Sequence, residues 1–197
     1  KKYADCIINL KEVKNSVVLD YEIVNKNINK DIFEFIKEFS KNNLLFNNFV
    51  NKSKHLTDLN CGGNISFKTK DGMFISSSGA NISDIDFSNN FNFLKKENNK
   101  LYTNEGSYIS FLNKINLYNK NNMPSIETGI HLSTKYNYTL HIHPFYTTAI
   151  LCSKNSHSLI KKLFKKDFNY INFKIPGYKL SNFFYNASFN SKVIFLE

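Results

Sequence analysis

The chain contains no arginine and no tryptophan, and only 3 cysteines, 3 prolines and 7 glycines in 197 residues. Each scarcity excludes something. All 26 basic residues are lysines, so the formal charge of +10 comes without the planar forks on which specific base readout relies. Nucleic-acid binding is not expected, and the charge reads as a solvated lysine surface. The excess of Lys, Asn, Ile and Phe fits the drift of an A/T-rich coding sequence better than selection for an acidic partner. Cys6, Cys61 and Cys152 are odd in number and share no metal-finger spacing, so reduced thiols and a cytoplasmic setting are expected. No run approaches the roughly 18 apolar residues of a membrane helix, and the first residues lack the apolar stretch of a secretion signal. No membrane partner is expected. The absence of an initiator methionine is consistent with a fragment at that end.

What is present suffices for one sizeable core: 42% hydrophobic residues, with 15% aromatic carried by Phe and Tyr. No repeat and no Pro- or Gly-rich linker divides the chain. Residues 1–30, alternating short apolar and polar runs, read as a lead-in, either a strand pair or a poorly packed segment. Residues 31–197 read as one domain. Asp31 resembles an N-cap, and Ile32, Phe33, Phe35, Ile36, Phe39, Leu44, Leu45, Phe46 and Phe49 form a core-facing stripe at helical spacing. Alternating runs on either side of Asp71-Gly72 predict a hairpin. Residues 87–122 are Asn-rich, with short strands expected at 91–94 and 101–102 and a surface excursion after them. Pro124, at a favoured first-turn position, predicts a helix ending near Lys135. Further helices are expected after Pro144, over 158–165 and over 178–185, with strands over 138–143, 170–175 and 193–196. The hairpin favours a mixed or antiparallel sheet over a doubly wound parallel one.

Chemistry concentrates between residues 124 and 144. On a strand, His141 and His143 point to the same face, so two imidazoles can converge on one cation. Imidazole suits zinc, and a catalytic zinc site keeps a position open for substrate. Glu127 stands at a helix start, where the macrodipole stabilises a carboxylate. Beside a cation it can serve as ligand or as general acid/base. His131, four residues on, shares its helix face and can be ligand, supporting partner of a ligand, or packed core residue; the last two are favoured. Two loops can hold an anion without arginine: Gly63-Asn64, and the run Ser76-Ser77-Ser78-Gly79 with its hydroxyl and backbone N–H groups.

Taken in order, Gly-Gly-Asn-Ile-Ser at 62–66, the Ser-Gly pair at 78–79, Pro-Ser-x-Glu-x-x-x-His at 124–131 and His-x-His-Pro at 141–144 resemble the class II aldolase/adducin family. The resemblance spans roughly residues 30–197; the lead-in and the Asn-rich stretch near 95–122 have no counterpart. It implies a three-layer α/β/α domain with a mixed, largely antiparallel central sheet. It implies Zn2+, or another divalent cation, held by His141 and His143, with Glu127 as the catalytic acid/base that also touches the metal at rest. Gly63, Asn64, Ser78, Gly79 and Ser125 are implied as the phosphate-binding set. The partners it implies are a small sugar or sugar phosphate and further copies of the chain, as a homotetramer.

The chemistry that goes with this resemblance is aldehyde-lyase chemistry. The cation polarises a ketose or ketose-phosphate carbonyl and stabilises the enediolate left when a C–C bond breaks. A dehydratase or 4-epimerase on the same scaffold, and a non-catalytic adducin-like interaction module, are the alternatives. Two departures stand out. Ile126 occupies a position where the fuculose-phosphate branch has a second phosphate-binding serine. The family's third zinc-binding histidine follows a strand like 193–197, so that ligand is expected beyond Glu197.

Overall fold

A computed structural model describes residues 6–13, 16–23, 62–82, 90–118 and 122–197. The lead-in forms an antiparallel hairpin, β1 (Cys6–Val13) with β2 (Ser16–Ile23). The helical stripe expected over 31–49 lies outside the described residues.

Five strands make the central sheet: β3 (Asn64–Lys68), β4 (Gly72–Ser76), β5 (Phe91–Lys95), β6 (Asn116–Tyr118) and β7 (Tyr138–His141). Their order is β6-β5-β4-β3-β7, and every pairing is antiparallel. A separate parallel pair joins β8 (Asn169–Ile171) to β9 (Ile194–Leu196). Helices α1 (Glu105–Ile115), α2 (Thr128–Ser133), α3 (Phe145–Leu151), α4 (Ser156–Leu163) and α5 (Tyr178–Asn186) complete the α/β architecture. No helix among the described residues is long and apolar enough to cross a membrane.

Both faces of the sheet are buried: every residue of β4 and the first four of β5 are buried. Met73, Ile75 and Leu94 pack under Tyr102 and the α1 residues Tyr108, Phe111, Leu112 and Ile115. On the reverse face lie Ile65, Phe67, Phe74, Phe91 and Phe93, with the Phe74 and Phe93 rings 4.8 Å apart. A second core joins Ile130 of α2, Leu180 and Phe184 of α5, and Ile171 of β8.

Strand β3 positions the site. Its even residues share one face, and all three are polar: Asn64, Ser66 and Lys68. Each engages α2. Asn64 and Ser66 meet the His131 ring. The Lys68 ammonium donates to the carbonyls of Leu132 and Thr134 at the helix C-terminus, where a cation complements the dipole. Burial pulls the Lys68 amine down to about 8. The helix is thus docked by hydrogen bonds at one end of the sheet, and it carries Glu127 at its N-cap.

Several expectations are corrected. The stretch after residue 95 is not a surface excursion: 101–102 is not a strand, and α1 follows it with four residues in the core. Pro124 does not open a helix. It forms an extended bridge with Ser77, flanked by Ser78 N–H donating to Met123 O at 2.8 Å and Ser125 N–H donating to Ser76 O at 3.1 Å. That bridge asks nothing of residue 124's own amide, so proline is tolerated and α2 starts four residues later. The hairpin turn centres on Lys70-Asp71, capped by the Thr69 hydroxyl, which accepts from the amides of Asp71 and Gly72. Gly72 is already in β4, where a Cβ would lie 2.3 Å from Leu94 O; close approach, not turn geometry, requires it. Strand β7 ends at His141, strand 170–175 shortens to β8, and strand 193–196 becomes the half-buried β9.

Candidate functional site

Two pieces of extended chain and one helix start converge at the end of β3. Gly63 turns the chain into β3 at φ +103°, and a Cβ there would lie 2.5 Å from the His141 carbonyl oxygen. Only glycine lets this turn press against β7. Opposite it, the extended 123–125 segment delivers Ser125, which is buried, and then Glu127. The Ser125 hydroxyl accepts from the Glu127 amide at 3.2 Å and fixes the start of α2.

Glu127 is the hub. Its Oε2 accepts from Asn64 Nδ2 at 2.5 Å and lies 2.6 Å from His141 Nδ1. With only 13% of its side chain exposed, burial pushes the carboxyl upward, but the His141 hydrogen bond and charge and the Asn64 amide outweigh this. The net shift is downward, so Glu127 rests as an ionised base. The carboxylate on Nδ1 makes that nitrogen the N–H donor of His141 and leaves Nε2 with its lone pair. This is the carboxylate–histidine relation that orients metal-binding imidazoles.

His143 lies just past β7, and its Nε2 is 3.0 Å from His141 Nε2. Two nitrogens held tetrahedrally by one zinc ion at about 2.0–2.1 Å would be about 3.3 Å apart. The two lone-pair positions therefore fit one cation with a small adjustment. Glu127 stands on the other edge of the His141 ring, so its carboxylate must leave Nδ1 to join a common metal. Among the described residues, no cluster of three His, Cys, Asp or Glu side chains has metal-site geometry.

The other expected residues meet around one cavity of about 320 Å³. Gly63, Asn64, Ser78, Gly79, Ser125 and Glu127 all line it, and Ile126 joins them with 43% of its surface exposed. No lysine or histidine lines this cavity. The amides of Ser77, Ser78 and Ala80 are spent on the carbonyls of Asn90, Met123 and Ser77, so the serine loop offers chiefly hydroxyl donors. A larger cavity of about 660 Å³ lies beside β7, between Thr139, His141 and the half-buried Ile194 and Leu196.

Three residues support the site from behind: His131, weighed from the sequence as a supporting or core residue, and Ser66 and Tyr108, which are not singled out in the sequence. His131 is fully buried, with Nδ1 2.7 Å from Ser66 Oγ and Nε2 bonded to Asn64 Oδ1. Both ring nitrogens are thereby engaged by hydrogen-bond partners. Ser66 could have been noticed as a polar residue two places from Asn64 in an apolar strand. Tyr108 left no such signal: its buried hydroxyl donates to Ile126 O and accepts from the Gly129 amide, both at 2.8 Å, across 18 and 21 residues.

Residues 52–192 match the model of the Class II Aldolase and Adducin N-terminal domain family. Among solved structures the chain is similar to the N-terminal class II aldolase domain of a conserved protein from Thermoplasma acidophilum. The TM-score is 0.62 at 22% identity, covering 75% of this chain and 78% of that one. No curated protein matches the sequence. The matched residues hold the central sheet, the serine loop, α2 and the His-x-His strand in one run, and the chain belongs to the class II aldolase and adducin N-terminal domain family.

Proposed function

We propose that this chain is a metal-dependent aldehyde-lyase of the class II aldolase type, acting on a ketose or ketose phosphate. The observation that carries the reading is the approach of His141 Nε2 and His143 Nε2 to 3.0 Å, beside a carboxylate that lines a substrate-sized cavity. His141 and His143 would hold Zn2+ or another divalent cation, which supplies Lewis-acid polarisation of the substrate carbonyl when bound.

The remaining chemistry falls to the chain's own groups. Glu127, ionised at rest, accepts the hydroxyl proton as the C–C bond breaks and returns a proton to the carbon left behind. Asn64 holds one carboxylate oxygen in place through its amide. The hydroxyls of Ser78 and Ser125, with the Gly63 and Gly79 backbone, bind the phosphate or hydroxyl end of the substrate. Ile126 adds an apolar wall to that end of the cavity. The exposed apolar helix after Pro144 supports assembly as a homo-oligomer, with the tetramer as the expected form.

Elemental mass spectrometry after dialysis against metal-free buffer tests the cation: about one zinc per chain is expected, and its loss in His141→Ala/His143→Ala. A panel of ketoses and ketose phosphates tests the reaction, because only a lyase releases two carbonyl fragments. Glu127→Gln is expected to keep the metal and lose about 10²–10⁴-fold in turnover; unchanged turnover removes Glu127 from the mechanism. A single dehydrated or epimerised product would favour a dehydratase or 4-epimerase. A protein with neither metal nor turnover would favour the adducin-like module.

A further inference from the structure

Five polar side chains form one hydrogen-bonded line, Ser66, His131, Asn64, Glu127 and His141, of which Asn64 and Glu127 line the smaller cavity. The protons in this line can be assigned, because one end is fixed. The Glu127 carboxylate only accepts, so the Asn64 atom facing it at 2.5 Å must be the donating Nδ2. Turning the amide over would set its oxygen against the carboxylate. Asn64 Oδ1 therefore faces His131, and the His131 nitrogen beside it, Nε2, must carry the hydrogen. That leaves Nδ1 as an acceptor, and the Ser66 hydroxyl is 2.7 Å away to supply its proton. With Glu127 ionised and His131 neutral, no second arrangement satisfies every member.

We propose that His131 is a positioning residue: pinned as its Nε2–H tautomer by Ser66, it locks the Asn64 amide in the orientation that holds the Glu127 carboxylate. The catalytic consequence rests on the lyase reading above; the positioning itself does not. Burial holds the His131 imidazole down to about 3, so the ring stays neutral and the tautomer stays single across working pH. The line also explains why α2 docks on the one polar face of β3: the contact that seats the helix is the contact that aims its N-cap carboxylate. A packing histidine would need neither Ser66 nor the Asn64 carbonyl, and a carboxylate left to choose its own rotamer would lose the alignment that a proton transfer needs.

The test starts on metal-free protein and needs no substrate. Long-range 1H–15N NMR should show His131 neutral and protonated at Nε2, and the Asn64 side-chain amide protons should exchange slowly. In His131→Gln, whose amide can still donate to Asn64, slow exchange should persist and kcat should stay within about threefold. In His131→Leu, exchange should quicken and kcat should fall roughly tenfold or more with little change in KM. Ser66→Ala, a smaller change, should let the Nδ1–H tautomer appear even if His131→Leu does not fold. An Nδ1–H tautomer in the parent protein overturns the proposal, as does a His131→Leu protein equal to His131→Gln in both exchange and kcat. If the parent protein turns over no aldol substrate, the lyase reading fails, and the tautomer and exchange data still decide the positioning role.

Discussion

A histidine sealed among hydrogen-bond partners makes acid a direct threat to the fold. The folded state keeps His131 neutral down to about pH 3, whereas in the unfolded chain it takes a proton near its ordinary value of about 6.5. Between those values the unfolded chain binds the extra proton, so stability is full above about pH 6.5 and is lost as pH falls. The depressed Glu127 carboxyl acts with the same sign, because its contribution is present above the unfolded value and lost on acidification. Urea titrations between pH 7 and 4 should show a fall approaching about 1.4 kcal/mol per pH unit for the His131 proton. His131→Gln should remove that part of the slope; an unaltered slope would assign the proton to another group. Of the residues in and beside this line, Glu127, His141 and His143 were legible because their types and spacing are chemical signals. Ser66 and the proton pattern of His131 were not, since they depend on which strand face meets which helix.

At the scale of elements, the sheet was readable where alternation and turn residues agreed, as in β3 and β4. Helix α1 was not read, although Tyr108, Phe111, Leu112 and Ile115 sit at helical spacing. The asparagines around it resembled loop markers, yet Asn104 is an N-cap whose side chain accepts from the Ser107 amide, and Asn116 is buried in β6. In a lysine- and asparagine-rich chain, asparagine does much of the work that other polar residues do elsewhere, so its loop signal is diluted. Pro124 misled for a related reason: its missing N–H suits a helix start and an outward-facing bridge position equally well. Helix α1 matters to the site through one hydroxyl. Tyr108 ties α1 to Ile126 O and Gly129 N–H, on either side of Glu127. Tyr108→Phe leaves the buried Gly129 amide and the Ile126 carbonyl without that partner and should cost about 1–3 kcal/mol in stability. It should also lower turnover at nearly constant metal content. A melting temperature unchanged from the parent would mean that water replaces the hydroxyl and that α1 does not brace the site.

At the scale of the whole molecule, the helix after the His-x-His strand is the least covered of the described helices. Helix α3 has no buried residue, and it displays Phe145 at 63% and Tyr146 at 81% exposure directly after His143 and Pro144. Its neighbour α4 adds Leu163 at 63%. A folded chain that left these apolar side chains in water would forfeit burial worth about 25 cal/mol per Å². A second copy of the chain covers it most simply, because the same patch is present on every protomer and closed symmetric assembly is the common outcome. The surrounding charge does not favour an alternative, since a net +10 without arginine repels copies only at long range and is screened by salt. Light scattering should therefore report a multiple of the single-chain mass at physiological salt. Tyr146→Asp with Phe145→Asp should reduce it to one chain while preserving the far-ultraviolet circular dichroism. Because the substituted positions follow His143 by only two and three residues, zinc content measured on the dissociated protein separates two cases. Retained zinc would mean that each chain closes its own site, whereas loss of zinc on dissociation would mean that a neighbouring copy completes it. A parent protein that already has the mass of one chain would remove oligomerisation as the explanation for the exposed helix.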